Sequence, residues 1–200
     1  MAEAALAIDT SSAIAVAVVG LDGEVLASRS EFAPRGHSEL LAGLVRDALA
    51  DAGATRASRV VVGTGPAPFT GLRVGLITAR TLAFAWGVPV DGVCSLDAVG
   101  LAHQGEVTVV ADARRREVYW ATYRDGVRVD GPGVCAAADV PVRGVVVGRG
   151  AVLYPDAFPV AVAADPDPAL LVRAADLAGA RGTLPTEPLY LRRPDVHGGP

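Results

Sequence analysis

The sequence predicts an α/β protein with two lobes, each opening with a unit of three strands, and with the second lobe abbreviated. Short apolar runs that suit buried strands alternate with longer stretches in which apolar residues recur at helical spacing. The opening pattern also occurs twice. Asp9 ends the first run and an Asp-Gly pair starts at Asp22 (22 − 9 = 13), and Asp112 and Asp125 repeat this spacing (125 − 112 = 13). Such self-similarity indicates two copies of one supersecondary unit.

The composition is that of a folded protein with little attraction to polyanions. Of 200 residues, 51% are hydrophobic and 20% are charged, which excludes a disordered chain. The formal net charge of −4 gives no broad attraction to nucleic acid or to an anionic membrane. All 18 basic residues are arginines, which excludes chemistry that needs a lysine, such as a Schiff base or a phosphate-loop lysine.

The cysteines and the start of the chain predict a cytoplasmic protein. Cys94 and Cys135 lie alone among apolar residues, as expected of small buried side chains in a reducing compartment. Residues 1–3 carry no basic charge of the kind that begins a signal peptide. The longest apolar stretches, at 14–19 and 145–147, are too short to span a membrane, so no membrane partner is expected.

The first lobe is predicted to cover residues 1–103. Its elements follow in the order strand, strand, strand, helix, strand, helix, strand, helix, at 6–10, 13–21, 24–31, 38–52, 59–63, 70–86, 88–93 and 95–103. Asp22-Gly23 is typical of a two-residue hairpin turn between the second and third strands. Thr70 is a candidate N-cap for the second helix, and Gly87 is placed to end it.

The second lobe is predicted to cover residues 104–200. Its strands are expected at 107–111, 117–123, 127–129 and 145–148, and the last of these resembles the earlier run 60–63. Between 130 and 144 there is room only for a short turn of helix. A helix at 169–180 precedes a proline-containing tail that can pack back on the first lobe, and the residues from Val196 are expected to be loose.

The two opening aspartates are candidate nucleotide or metal positions. Paired lobes that each open with a carboxylate at a strand end are typical of the actin-like (ASKHA, RNase H-like) architecture, in which ATP lies between the lobes. There each opening strand ends in Asp-x-Gly, because glycine lets the phosphates approach the turn. Here Asp9-Thr10-Ser11 and Asp112-Ala113-Arg114 lack that glycine. Asp9 and Asp112 are therefore degenerate versions of such a site.

The helix at 70–86 carries a stripe of small residues. Gly71, Gly75, Ala79 and Ala83 recur every four residues, and glycine within a helix costs about 1 kcal/mol relative to alanine. Close packing offsets that cost, either against the chain's own sheet or against the helix of a partner. On the second interpretation the interface residues are Leu40, Leu41, Leu44, Phe69, Gly71, Leu72, Arg73, Gly75, Leu76, Ala79, Arg80 and Ala83.

Other motifs carry little chemistry. The three histidines belong to no HxxxH or HExxH pattern, so no metal site is predicted. The loop 63–71 has the position of a phosphate cradle, but Pro66 and Pro68 remove two of its backbone donors. The run 114–116, three arginines, is typical of a solvated turn, with a minor contact to RNA phosphate as the alternative.

Five blocks of the sequence resemble the TsaB (YeaZ) family, in family order. They are Leu6-Ala7-Ile8-Asp9-Thr10-Ser11; His37-Ser38-Glu39-Leu40-Leu41; Gly65-Pro66 with Phe69-Thr70-Gly71-Leu72-Arg73-Val74-Gly75-Leu76; Asp112-Ala113-Arg114-Arg115 with Glu117-Val118-Tyr119; and Pro188-Leu189-Tyr190-Leu191-Arg192. The third block is the most specific, although Ala67-Pro68 stands where the family usually has Gly-Ser.

The resemblance implies an actin-like fold with no chemistry of its own. It points to the dimerisation subunit of the bacterial complex that makes N6-threonylcarbamoyladenosine at position 37 of tRNAs. The implied partners are a TsaD-like catalytic paralogue and a TsaE-like ATPase, with a homodimer when the chain is alone and tRNA reached only through the complex. ATP and metal are then expected on the partner subunits. The family's interface helices match residues 38–52 and 70–86.

Two other functions stay open at this point. An active ATP-dependent phosphotransferase of the same fold would use Asp9 and Asp112 for metal and phosphate. A stand-alone homodimeric scaffold would need no second protein. A peptidase would need the metal-binding HxxxH of the family's paralogues, which the sequence lacks.

Overall fold

The two lobes are built on two separate β-sheets. The computed structural model describes residues 3–32, 37–179 and 182–192. The first part of the chain forms β1 (Ala4–Asp9), β2 (Ile14–Gly20), β3 (Val25–Glu31), α1 (His37–Asp51), β4 (Arg59–Gly63), α2 (Phe69–Trp86), β5 (Val90–Val93) and α3 (Ser95–Leu101). The second part forms β6 (Glu106–Asp112), β7 (Glu117–Arg124), β8 (Val127–Ala136), a 3-10 turn (Ala137–Asp139), β9 (Val145–Val147), α4 (Arg149–Val152), β10 (Ala161–Val162) and α5 (Pro168–Leu177).

The two sheets have the same topology. The strand order is β3-β2-β1-β4-β5 in the first sheet and β8-β7-β6-β9-β10 in the second. In each sheet the opening strand pairs antiparallel with the second strand and parallel with the fourth. The spacing repeat between the opening aspartates therefore reflects a repeat of whole sheets, and the two-lobed α/β fold class is confirmed.

The two Asp-Gly pairs form different turns. Asp125 and Gly126 both have positive φ, 51° and 79°, as a two-residue hairpin turn requires. The Asp22-Gly23 connection is longer than predicted, since β2 ends at Gly20 and β3 begins at Val25. Within it Gly23 has a φ of 87°, and the Gly20 amide donates to the carbonyl of Glu24 at 2.8 Å.

The strands of the first sheet alternate their side chains between two packed faces. Leu6, Ile8 and Val16 point to the face that α1 and α2 cover, and all three are fully buried. Ala5 and Ala7, which alternate with Leu6 and Ile8 along β1, point to the other face, which α5 covers. Because side chains alternate along a strand, this pattern fixes which face receives which helices.

The last helix packs on the first sheet although it follows the second sheet in the chain. Leu171, Val172 and Ala175 of α5 are buried against that sheet. Asp167 caps the helix, its carboxylate accepting from the Ala169 amide at 2.9 Å. In space, α5 therefore lies with the first lobe.

The tail is anchored on a buried carboxylate. The amides of residues 182–184 donate to Oδ1 of Asp91 at 2.7, 3.0 and 3.2 Å. Arg59 Nε donates to its Oδ2 at 3.0 Å. Burial alone would raise the pKa of Asp91, but the hydrogen bonds from the tail amides and from Arg59 outweigh it and hold that pKa below its ordinary value.

The tail then continues toward the second lobe. The Leu189 amide donates to the carbonyl of Thr64 at 2.9 Å. Arg192 donates to the carbonyl of Ala113 at 3.0 Å and pairs with Glu117. The segment thus touches both lobes.

Several elements differ from those predicted. β8 runs on to Ala136 because the Gly131-Pro132-Gly133 segment, which has the composition of a turn, continues the strand with register shifts opposite Trp120. α4 and β10 were not expected. The N-cap of α2 is Pro68 rather than Thr70, while Gly87 ends the helix with a φ of 66°, as predicted.

One prediction falls on residues outside the described ranges, namely the loose end from Val196. Among the described helices, none is both long and apolar enough to cross a bilayer.

Candidate functional site

The second helix turns its small residues inward. Gly75, Ala79 and Ala83 lie on the buried face of α2, against the first sheet. A Cβ added to Gly75 would overlap the hydroxyl of Thr10, and that hydroxyl donates to the carbonyl of Gly71 at 2.9 Å. The stripe therefore packs on the chain's own sheet, and the prediction that Gly75, Ala79 and Ala83 meet a partner is wrong.

Other predicted interface residues also belong to the core. Leu41, Leu72 and Leu76 are buried in the same cluster, so they are not available to a partner. Leu40 and Leu44 are partly buried at its edge. The apolar stripe of α1 holds that helix on the sheet, as the helical spacing of its leucines requires.

The opposite side of α2 is apolar and exposed. Phe69, Ile77 and Phe84 expose 39%, 63% and 90% of their surface. Intervals of eight and seven residues place these side chains on one face of the helix, with the exposed Arg73 among them. Phe69, Arg73, Ile77 and Phe84 together form the outer face of α2. A contiguous exposed apolar stripe of this kind marks an interaction site.

The tail borders the outer face. Tyr190 stacks on Phe69 with ring centroids 4.8 Å apart, and the guanidinium of Arg73 lies 3.6 Å over the Phe69 ring. Arg73 Nε donates to the Tyr190 hydroxyl at 2.8 Å, and Arg80 Nε donates to the hydroxyl of Thr186 at 2.8 Å. The tail thereby holds both predicted interface arginines.

A groove of about 490 Å³ runs along the outer face. It is lined by Phe69, Thr70, Arg73, Val74, Ile77 and Thr78. Its walls are side chains of a single helix, so any molecule that fills the groove contacts Phe69, Arg73 and Ile77 of the outer face.

The first predicted nucleotide position is closed by the chain's own hydrogen bonds. Asp9 is buried; its Oδ1 accepts from the amide and hydroxyl of Ser11 at 2.8 and 2.6 Å, and its Oδ2 accepts from the Ser95 hydroxyl at 2.6 Å. A Cβ on Gly63 would overlap Oδ2. Burial raises the pKa of Asp9, and the hydrogen bonds from Ser11 and Ser95 oppose that shift. The Asp9 carboxylate, at the end of β1, therefore lies against Gly63 at the end of β4 and is hydrogen-bonded to Ser95 at the start of α3.

The second predicted position lies at the equivalent end of β6. Asp112 Oδ1 accepts from the Arg114 amide at 2.8 Å, and Oδ2 pairs with the Arg114 guanidinium at 3.2 Å. Each carboxylate is thus engaged by its own neighbours at the end of its opening strand, Asp9 by Ser11 and Ser95 and Asp112 by Arg114.

An ion pair from the second lobe reaches the loop after β1. Arg149 Nε donates to Asp165 at 2.9 Å, and Asp165 also accepts from the Ser12 hydroxyl at 2.6 Å. The Arg149 guanidinium lies 4.9 Å from the centre of the Phe32 ring. Side chains of the chain itself therefore link the two lobes beside Asp9.

Comparison with known proteins agrees with this architecture. The family described as "TsaD: tRNA N6-adenosine threonylcarbamoyltransferase" matches residues 24–142. An uncharacterized protein of Mycobacterium tuberculosis is 48% identical over 197 residues, which cover 96% of this chain and 92% of that protein. The solved structure of YeaZ from Pseudomonas aeruginosa superposes with a TM-score of 0.79 at 30% identity, over 94% of this chain and 100% of that one. The chain belongs to the TsaB (YeaZ) family. TsaB of Escherichia coli (strain K12) is 36% identical over 126 residues, which cover 60% of this chain and 54% of that protein.

Membership of the TsaB family confirms the actin-like fold and the resemblance found in the sequence. The block with the most specific TsaB resemblance divides between two roles in this chain. Gly75 and Leu76 pack into the core, whereas Phe69 and Arg73 start the outer face. Ile77 and Phe84 are absent from the predicted interface, although their spacing from Phe69 and Arg73 places them on the same helix face and is readable from the sequence.

Proposed function

We propose that this chain is the TsaB-type assembly subunit of the bacterial complex that makes N6-threonylcarbamoyladenosine at position 37 of tRNAs. Its relatives in Escherichia coli and Bacillus subtilis are named tRNA threonylcarbamoyladenosine biosynthesis proteins. On this proposal the chain performs no chemistry, acts in the cytoplasm, and supports a TsaD-like catalytic subunit, with a TsaE-like ATPase joining the pair.

The observation that carries the proposal is the exposed outer face of α2. Phe84 exposes 90% of its surface and Ile77 exposes 63%. Large apolar side chains this exposed on one helix face are stabilised when another protein covers them, because burial gains about 25 cal/mol for each Å² of apolar surface.

A TsaD-like paralogue is the occupant that we propose for this face. The family that matches residues 24–142 is described by the name of the threonylcarbamoyltransferase itself, so subunit and enzyme share one fold unit. Two copies of one fold can pair equivalent helices about a pseudo-twofold axis, as subunits do in an isologous dimer. The same face would then serve a homodimer when the chain is alone.

The two predicted nucleotide positions, one in each lobe, support a role without a bound nucleotide. Both carboxylate oxygens of Asp9 accept hydrogen bonds, from Ser11 and Ser95. Asp112 forms an ion pair with Arg114. Neither carboxylate is presented for a metal ion or a phosphate, so the phosphotransferase alternative is not favoured. ATP and metal would be held by the partner subunits.

The test is size-exclusion chromatography with light scattering on the chain, on the TsaD-like protein of the same organism, and on their mixture. We expect a heterodimer, and we expect Ile77→Lys and Phe84→Lys to raise the dissociation constant at least about tenfold, because truncating or charging a central apolar contact costs more than about 1.4 kcal/mol.

Leu177→Lys is the matched control, since Leu177 is 69% exposed on α5. It should leave the dissociation constant unchanged. Absence of a heterodimer with the wild-type chain, or equal weakening by all three variants, would contradict the proposed partner face.

A further inference from the structure

Arg73 is held against an aromatic stack on the outer face. Its guanidinium carbon lies 3.6 Å from the centre of the Phe69 ring and 5.8 Å from the centre of the Tyr190 ring. Its Nε donates to the Tyr190 hydroxyl at 2.8 Å. The attraction of a cation to an aromatic face and this hydrogen bond both favour one position of the side chain. The charged end of Arg73 therefore has a defined place on the surface of α2.

The guanidinium of Arg73 has unused donors and no carboxylate beside it. The Tyr190 hydroxyl accepts from Nε, which leaves the N–H groups of both Nη atoms. Within residues 3–32, 37–179 and 182–192, no aspartate or glutamate pairs with Arg73. The sequence of α2 itself contains no acidic residue. The Nη groups are therefore available to an acceptor that comes from outside the chain.

Arg80, the other arginine of α2, shows the opposite arrangement. Its Nε donates to the Thr186 hydroxyl at 2.8 Å, and its Nη2 donates to the carbonyl of Thr186 at 2.6 Å. The same Nη2 lies 3.6 Å from the carboxylate of Glu187. The tail thus supplies acceptors and a negative charge to Arg80, whereas it gives Arg73 only a neutral hydroxyl and a ring.

A protein that covers the outer face also covers Arg73. Arg73 lines the groove together with Phe69 and Ile77, which lie four residues before and after it on the same side of the helix. Burying Ile77 and Phe84 against a partner therefore removes water from the guanidinium. An unpaired cation in a dry interface is strongly unfavourable, whereas a matched carboxylate offsets the lost hydration. A partner that binds here needs an acceptor at this point.

We propose that Arg73 receives a carboxylate side chain of the partner protein, inside the interface that the outer face forms. The planar guanidinium matches a carboxylate in geometry and stays charged at every physiological pH. The groove around it is walled by apolar side chains such as Val74 and Ile77, which suits a protein surface better than a nucleic-acid backbone. Because the ring stack already restrains Arg73, little further freedom is lost when the ion pair forms.

This inference rests on the proposed function for the identity of the partner, the TsaD-like subunit. It adds the chemistry of the surface that this subunit presents, which is an apolar patch containing an aspartate or a glutamate.

The same chemistry disfavours a second copy of this chain as the partner. An isologous dimer that pairs two α2 helices would bury the Arg73 of both copies, with no acidic residue from either helix. Unpaired or like charges across an interface lower the affinity for the wrong partner. Arg73 therefore favours a heterodimer over a homodimer built on the outer face.

The test measures the dissociation constant of the chain and the TsaD-like protein of the same organism by isothermal titration calorimetry. Arg73→Gln removes the charge and should raise the dissociation constant at least about thirtyfold. Arg73→Lys keeps the charge without the planar fork and should give an intermediate value. Arg173→Gln is the matched control, because Arg173 is an exposed arginine of α5, which packs on the opposite face of the first sheet. It should leave the dissociation constant unchanged.

An exchange of charges identifies the partner's carboxylate. Exposed aspartates and glutamates of the TsaD-like protein are replaced one at a time by lysine, and each variant is titrated with the Arg73→Glu chain. At one position the lysine should restore binding at least about tenfold, because it re-forms the ion pair with its charges reversed. The proposal is overturned if no position restores binding.

Tyr190→Phe separates the ion pair from the positioning of the arginine. This variant removes the hydroxyl that accepts from Nε and keeps both the ring and the charge of Arg73. It should raise the dissociation constant less than Arg73→Gln does, and a thermal melt confirms that both variants fold. Equal weakening by the two variants would show that Arg73 acts only through the aromatic stack, and would overturn the proposal.

The proposed function and this inference fail in different ways. If the wild-type chain forms no complex with the TsaD-like protein, the proposed partner is wrong, and so is the occupant assigned to Arg73. If the complex forms and Arg73→Gln binds with an unchanged dissociation constant, only the inference is wrong. Light scattering of the chain alone and fluorescence anisotropy of a labelled tRNA are measured on the same variants. Loss of self-association or of tRNA binding with an unchanged heterodimer would assign Arg73 to a second copy or to phosphate, and would overturn the proposal.

Discussion

Tyr190 covers Phe69. The two rings lie 4.8 Å apart with an angle of 21° between their planes, and Arg73 lies against both of them. One ring begins α2 and the other lies in the tail, so the stack fastens the tail to the first residue of the outer face. The shape of that face therefore depends on the tail.

Replacing Tyr190 by alanine should loosen the tail. We expect Tyr190→Ala to lower the free energy of unfolding by about 1–2 kcal/mol, because it removes a ring stack and the hydrogen bond from Arg73. Tyr190→Phe keeps the stack and should cost less than about 1 kcal/mol. Urea denaturation measures both, and hydrogen exchange at the Leu189 amide, which bonds to Thr64, reports the tail directly. Equal losses for the two variants would show that the stack contributes nothing.

Gly75 should tolerate no side chain. A Cβ at this position would overlap the Thr10 hydroxyl, so Gly75→Ala should lower the free energy of unfolding by about 1–3 kcal/mol despite alanine's better helix propensity. Gly43 is the matched control on α1, where a Cβ would meet nothing within 4 Å. Gly43→Ala should stabilise by up to about 1 kcal/mol. Urea denaturation of the two variants should thus give changes of opposite sign.

The anchor of the tail should fail in acid. Burial would raise the pKa of Asp91, but its hydrogen bonds from Gly182, Leu184 and Arg59 hold the pKa below its ordinary value of 3.8. A carboxyl whose pKa is lower in the folded state stabilises the fold above the unfolded pKa, and this contribution is lost as the pH falls through the folded value. We expect the free energy of unfolding to drop below about pH 4.

Asp91→Asn tests that assignment. The variant should be less stable than the wild type by about 2–4 kcal/mol at pH 7, because it leaves Arg59 and the tail amides short of a charged acceptor. Its stability should depend less on pH between 6 and 3. Asp156→Asn removes an exposed carboxylate and should change stability by less than about 0.5 kcal/mol. If the wild type and Asp91→Asn lose stability in parallel, Asp91 is not the titrating group.

Asp9 should have no role in nucleotide binding. Its oxygens are used by Ser11 and Ser95, so calorimetric titration of the chain with magnesium and ATP should give no binding. Asp9→Asn should leave the activity of the assembled complex unchanged, with a thermal melt to confirm folding. Micromolar affinity for ATP that disappears in Asp9→Asn would instead support the phosphotransferase.

Local sequence determines most of the strands and helices, because their causes are local. The β-branched run at 60–62 is bounded by polar and glycine residues and forms β4 as predicted. β8 was predicted too short because Gly131 and Gly133 suggest a turn, whereas the structure uses Gly133 to admit the ring of Trp120. A cross-strand neighbour decided that outcome, and no local pattern reveals it.

The candidate site depends on distances that the sequence does not encode locally. α2 carries apolar residues on both faces, and only the close approach of Thr10 to Gly75 shows which face turns inward. Likewise, Asp9 has the strand-end position of a nucleotide carboxylate, but the hydroxyl that closes it comes from Ser95, 86 residues later. Both corrections arise from contacts between distant parts of the chain.

The place of α5 has a consequence for how the protein is made. A ribosome delivers β1, β2 and β4 well before Leu171 and Ala175, the residues that cover the alanine face of the first sheet. Until they emerge, the part of the nascent first sheet that Leu171, Val172 and Ala175 bury is open to water, and the lobe cannot reach its final stability. The second lobe must be translated before the first is complete. A gene fragment that stops before residue 168 should therefore yield a first lobe that lacks part of its packed interior.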